Sequence, residues 1–131
     1  TLAHPLGFEV DQQVLDKSRQ VAGDAGGSLQ VVNDVHTAAR GAEVLYARSW
    51  GSIKHWHDPE REAIVKRSLT EWRVDEALMA QTKNALLMHP LPVRRNVAAT
   101  DAVLDGKQSL IYEQAANRAH VQKALLMHLL K

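Results

Sequence analysis

The apolar run Ala85-Leu86-Leu87-Met88 passes directly into His89-Pro90-Leu91-Pro92-Val93-Arg94-Arg95-Asn96, and this junction constrains the fold more than any other stretch. Four apolar residues without polar alternation suit a strand covered on both faces, as in parallel sheets. Proline has no N–H to offer a ladder, so Pro90 and Pro92 stop the strand and stiffen the loop beyond it. The backbone carbonyls there lose their sheet partners and become acceptors, at the strand end where open parallel sheets bind ligands. Arg94 and Arg95 add planar, permanently charged forks suited to carboxylate or phosphate. The pattern also fits a strand that ends in a proline turn beside solvated arginines. On this stretch alone both readings stand.

Strand and helix alternate along the chain. Val14, Ser18, Val21, Ala22 and Ala25 recur at helical spacing behind the N-cap residue Asp11, and Gly26-Gly27 ends the run. Leu29 to Val32 reads as a short strand, and Asp34 caps a helix from Val35 to Arg40, closed by Gly41. Glu43 to Ala47 is the next strand, delivering Arg48 and Trp50 at its carboxyl end. The stretch from Ser52 to Thr70 is polar and reads as an irregular excursion, of the size that is usually functional or mobile. Asp75 caps a helix reaching Gln81, Asp101 to Leu104 makes a helical turn, Ser109 to Tyr112 reads as the last strand, and a final helix runs from about Glu113 to Leu130. This order predicts an α/β fold, an open parallel sheet with helices on both faces.

Composition narrows the function classes. The 131 residues suit one domain with a modest core. A net charge of +1 predicts no nucleic-acid stripe and no polybasic membrane patch. The absence of cysteine excludes disulfides and thiolate metal sites and is compatible with a cytoplasmic location. No apolar run reaches the roughly 18 residues of a membrane span. Thr1-Leu2-Ala3-His4 reads as the tail of a strand entered midway, which suggests a fragment.

Three ordered blocks carry a family resemblance: Tyr46-Ala47-Arg48-Ser49-Trp50-Gly51, His89 to Arg95, and Ser109 to Leu126 with its Asn117-Arg118 pair. Together, from His4-Pro5-Leu6-Gly7-Phe8 onward, the chain resembles the second half of the aspartate/ornithine transcarbamylases. The Arg48-Ser49-Trp50 block is most similar to the N-acetylornithine and N-succinylornithine branch. The resemblance implies a Rossmann-like amino-acid-binding domain lacking its first strand, with the carbamoyl-phosphate domain absent from this chain. It further implies carbamoyl phosphate and an amino acid as substrates, no metal or organic cofactor, and a homotrimer. The fragment alone is expected to be inactive.

Carbamoyl transfer needs a fixed cation near the carbamoyl oxygen, where negative charge develops as an amine attacks and phosphate leaves. The resemblance assigns this to Arg118, at the mouth of the last helix, with His89 as the second catalytic candidate. Carbonyls around His89, Pro90 and Leu91 would accept from the carbamoyl NH2 group, and Pro92 completes that substrate-binding loop. Ornithine enzymes carry an aspartate in the block where this chain has Arg48. An acylated α-amine has no charge to pair with an acid, whereas a cation can hold the remaining α-carboxylate. Arg48, with Arg94, therefore favours an N-acylated ornithine over free ornithine, and Trp50 is a further substrate-binding candidate that could equally fill a core or lid position.

Two departures bear on that choice. Pro90 matches the His-Pro-Leu-Pro of aspartate transcarbamylases, although Val93 intervenes before the arginines, and Ala98 stands where N-acetylornithine enzymes can carry a carboxylated lysine. Ornithine or aspartate as substrate, and a non-catalytic binding module, remain the alternatives. His55-Trp56-His57 reads as a solvated loop with an aromatic anchor rather than a metal site, since no third spaced ligand joins it.

Overall fold

The computed structural model describes residues 1–49, 51–55 and 57–130. In chain order they form β1 (Leu2–Ala3), α1 (Gln12–Asp24), β2 (Val31–Val32), α2 (Val35–Ala39), β3 (Val44–Tyr46), α3 (Pro59–Ser68), α4 (Glu76–Met79), β4 (Leu86–Met88), α5 (Asp101–Leu104) and α6 (Ile111–Leu129). Short 3-10 turns stand at Ile53–His55 and Thr70–Trp72. The described strands pair in parallel, β1 with β2 and β3 with β4, so the α/β class is as predicted. The chain divides into two compact units, Thr1–Arg40 with Trp50–Trp72 and Gly41–Ser49 with Arg73–Lys131.

In the first unit, side chains set where helices begin. The Asp11 carboxylate accepts from the Gln13 and Val14 N–H groups at 2.9 and 3.2 Å, satisfying two otherwise orphaned donors of α1. Asp34 does the same for α2 with His36 and Thr37, and the Thr37 hydroxyl adds a bond that holds the Asp34 carboxyl below its ordinary range. Past β1, the buried His4 ring bonds the Pro5 carbonyl at 2.9 Å, and Asn33 donates to the His4 carbonyl at 3.0 Å. Ser52 is also buried and donates to the Gly7 carbonyl at 2.6 Å.

The stretch predicted as an irregular excursion, residues 52–70, is mostly helical. Asp58 caps α3 through the Arg61 N–H at 3.0 Å, Pro59 opens the first turn, and Glu60 and Glu62 come next. Lys66 and Arg67 occupy the last turn, so the charges complement the helix dipole at both ends. The helix has no buried residue, so it lacks the apolar stripe by which a helix is read from sequence.

In the second unit the β3–β4 register pairs Val44 with Leu86, Leu45 with Leu87 and Tyr46 with Met88. Ala85 and Leu87 are fully buried, with Leu104 and Ile111 beside them in the core. The predicted last strand, Ser109 to Tyr112, is corrected to a single bridge between Ser109 and Leu87. Leu87 donates to Gln108 at 2.7 Å and accepts from Leu110 at 2.8 Å, which exhausts its pairing on that side. Glu113-Gln114-Ala115-Ala116 are strong helix formers, and they draw Ile111 and Tyr112 into α6 despite the strand preference of those two side chains. Asp75 caps α4 as predicted, through the Leu78 N–H at 2.9 Å, but the helix stops at Met79.

Candidate functional site

The second unit brings three element ends together. The Met88 carbonyl accepts the Ala47 N–H at 2.9 Å, the last contact of the β3–β4 ladder on that side. One residue on, the His89 N–H has no strand partner and donates instead to Gln114 Oε1 at 3.1 Å. The other arm of that amide, Nε2, donates to the Tyr46 hydroxyl at 2.9 Å. Gln114 thus ties the ends of β3 and β4 to the first turn of α6.

His89 itself is 2% exposed, and its Nδ1 donates to the Pro90 carbonyl. A carbonyl can only accept, so Nδ1 carries a proton. Nε2 is buried and finds no partner among the described residues. The Leu91–Pro92 peptide is cis. Of the carbonyls expected to be open, Pro90 receives the imidazole, while those of His89 and Leu91 have no hydrogen bond among the described residues. Leu91 and Pro92 are exposed and Pro90 half-buried.

The two consecutive arginines divide. Arg95 is clamped by both Asp101 and Asp105, which push its guanidinium pKa above the ordinary value. Asn96 closes the same loop in a left-handed conformation with φ +59, its amide donating to Asp101 at 2.8 Å and accepting the Asp101 N–H at 3.0 Å. Asn96 first, and Arg95 after it, hold the Asp101 carboxyl below its usual range. Arg94 is exposed, and its side chain has no ion pair or hydrogen bond among the described residues. The Arg94 carbonyl accepts the Ala98 N–H at 2.9 Å, which fixes the half-buried Ala98 in the loop.

Arg48 lies two residues beyond β3, is exposed and is likewise unpaired among the described residues. Arg118 needs a positional correction. α6 begins at Ile111, so Arg118 lies two turns inside the helix rather than at its mouth. It stands four residues after Gln114, hence on the same helix face one turn along, and it too is exposed without an ion partner among the described residues. Trp50 lies outside the described residues. No group of three or more His, Asp or Glu side chains able to hold a metal occurs among the described residues.

Sequence reasoning passed over Gln114, Tyr46 and Asn96. The orphaned His89 N–H was a usable signal, because a buried donor must find an acceptor. Nothing local to His89 says which distant polar side chain supplies it.

The chain matches the Asp/Orn binding domain of aspartate/ornithine carbamoyltransferases over residues 1–129. It is 43% identical to the N-acetylornithine carbamoyltransferase of Xylella fastidiosa (strain Temecula1) over 96% of this chain and 41% of that protein. It is 38% identical to the ornithine carbamoyltransferase of Acidothermus cellulolyticus over 99% of this chain and 41% of that one. The chain thus spans about two fifths of the length of these curated relatives. A mutant N-acetyl-L-ornithine transcarbamylase, solved with carbamyl phosphate and N-succinyl-L-norvaline, superposes with a TM-score of 0.90 at 40% identity, over 95% of this chain and 38% of that chain. An acetylornithine transcarbamylase solved with acetylcitrulline gives the same TM-score and identity over the same shares of the two chains. The likeness in fold is to transcarbamylases with a Rossmann-like fold, as the family resemblance implied, and it agrees with the α/β class that the alternating pattern predicted. With nearly every residue accounted for by one domain description, the chain belongs to the aspartate/ornithine carbamoyltransferase family.

Proposed function

We propose that this chain is the amino-acid-binding domain of a carbamoyltransferase that moves the carbamoyl group of carbamoyl phosphate onto the side-chain amine of an N-acylated ornithine, a step of arginine biosynthesis. One observation carries the proposal: the His89 and Leu91 carbonyls, free of hydrogen bonds among the described residues, share a unit with three exposed cations, Arg48, Arg94 and Arg118, that likewise have no partner among the described residues. Neutral acceptors suit the carbamoyl NH2 group, and free cations suit the anionic groups that the reaction presents. The identities to N-acetylornithine carbamoyltransferases support the acylated substrate.

In the reaction the neutral side-chain amine attacks the carbamoyl carbon, the new C–N bond forms, and the C–O bond to phosphate breaks. The nitrogen sheds one proton, which the departing phosphate takes up, and the carbamoyl oxygen carries negative charge in the transition state. Arg118 stabilises that charge more than it stabilises the ground state. His89, buried and bonded to Pro90, holds the carbonyl-bearing loop in shape, and Pro90, Leu91 and Pro92 form its surface. Arg48 pairs with the α-carboxylate, and Arg94 assists it. The protein works as a cytoplasmic homotrimer without a metal or organic cofactor.

The test is turnover by the full-length protein with carbamoyl phosphate and N-acetylornithine. Arg118→Ala should lower kcat by roughly two orders of magnitude, since one oxyanion donor is commonly worth about 3 kcal/mol. Near-normal kcat in that variant removes Arg118 from the chemistry.

A further inference from the structure

Gln114 fixes the direction of one hydrogen bond beside the strand ends. The His89 N–H can only donate, so the Gln114 atom facing it at 3.1 Å is the carbonyl oxygen. The Gln114 NH2 group therefore faces the Tyr46 oxygen at 2.9 Å, and there it can only donate. Tyr46 accepts that bond, which leaves its own proton unused among the described residues. Tyr46 is 48% exposed as a residue, ends β3 opposite Met88, and precedes Arg48 by two residues. A phenol whose oxygen is held from behind and whose proton is free is an aimed donor.

Resting on the function proposed above, we infer that Tyr46 is a substrate-positioning residue whose hydroxyl donates to an acceptor oxygen, carboxylate or acyl carbonyl, of the amino-acid substrate. Its neutral donor complements the cation of Arg48 and adds directionality that a charge alone lacks. The device depends on an amide at position 114. A carboxylate there would still accept the His89 N–H, but it has no proton for Tyr46. The phenol would then turn its own proton inward and offer the substrate nothing.

Steady-state kinetics of the full-length protein with carbamoyl phosphate and N-acetylornithine test this. Tyr46→Phe should raise KM for the amino acid roughly five- to fifteen-fold, the loss of one neutral hydrogen bond, with kcat and KM for carbamoyl phosphate within about twofold of wild type. Gln114→Glu keeps both contacts and the side-chain size, yet should raise the same KM to a similar extent. The double variant should be no worse than either single one, because both remove the same donor. N-acetylputrescine, which lacks the carboxylate, identifies the acceptor. A Tyr46→Phe effect that persists with it assigns the acyl carbonyl, and one that vanishes assigns the carboxylate.

An unchanged KM in Tyr46→Phe overturns the inference. So does wild-type behaviour of Gln114→Glu beside an impaired Tyr46→Phe, which would mean that the hydroxyl only braces Gln114. Wild-type protein that carbamoylates no acylated amino acid overturns the proposed function, and this inference with it. Normal wild-type turnover with silent variants overturns the inference alone.

Discussion

At the scale of single residues, the two arginines after the proline loop show how neighbours with one chemistry take different work. Arg95 spends its guanidinium on Asp101 and Asp105, while Arg94 leaves its own free among the described residues. The loop is therefore closed by one arginine and offered by the other. Because Asn96 is the leading cause of the low Asp101 pKa, Asn96→Ala should move that carboxyl back toward its ordinary 3.8 in an NMR pH titration, and a wild-type titration curve in the variant would contradict this. The sign comes from the lowered folded value. The contribution of Asp101 to stability is present above pH 3.8 and fades as the pH falls through its lower folded pKa. Asn96→Ala should therefore make acid unfolding begin at a higher pH. The structure leaves Arg48, Arg94 and Arg118 exposed, and these three with His89 were singled out in the sequence by charge, proline punctuation and family resemblance. Gln114 and Tyr46 were not, since their importance comes from meeting across 68 positions of sequence.

At the scale of elements, capping residues proved the most readable signal. Asp11, Asp34 and Asp75 each receive the N–H groups that their positions predicted. Local chemistry suffices there, because a cap bonds within three residues of itself. The misread elements failed for the converse reason. Residues 52–70 hid α3 because that helix buries nothing, and Ser109 to Tyr112 looked like a strand because local preference ignores how little ladder remains beside Leu87. Gly106, just past α5, supplies an element-scale test. A Cβ there would stand 2.8 Å from the Ala102 carbonyl oxygen, closer than side-chain carbons approach backbone. Gly106→Ala should cost about 1–3 kcal/mol through overpacking, seen as a lowered urea midpoint with an unchanged slope. An unaltered midpoint would mean that the turn yields freely.

At the scale of the whole molecule, the second half of α6 stands out. Val121, Leu125, Leu126, Met127, Leu129 and Leu130 are each more than half exposed. So much apolar surface on one helix favours contact with other protein. The isolated 131-residue chain should therefore associate with rising concentration in sedimentation experiments, whereas the full-length protein should sediment as a discrete trimer. A cooperative, concentration-independent monomer of the isolated chain would contradict this view. The α/β class itself was legible, since alternating caps, apolar runs and glycine stops survive without tertiary context.

Substrate choice tests the central claim most directly. In the role proposed for it, Arg48 would repel a free α-ammonium and pair with a carboxylate, so that acylation would decide which amino acid binds well. The measurement is kcat/KM of the full-length protein with carbamoyl phosphate and, in turn, ornithine, N-acetylornithine, N-succinylornithine and aspartate. An N-acylated ornithine should be preferred over ornithine by about a hundredfold or more, the scale at which repelled or unpaired polar groups discriminate. A preference for ornithine would contradict the role given to Arg48, and a preference for aspartate would make Pro90 the residue that tells the substrate.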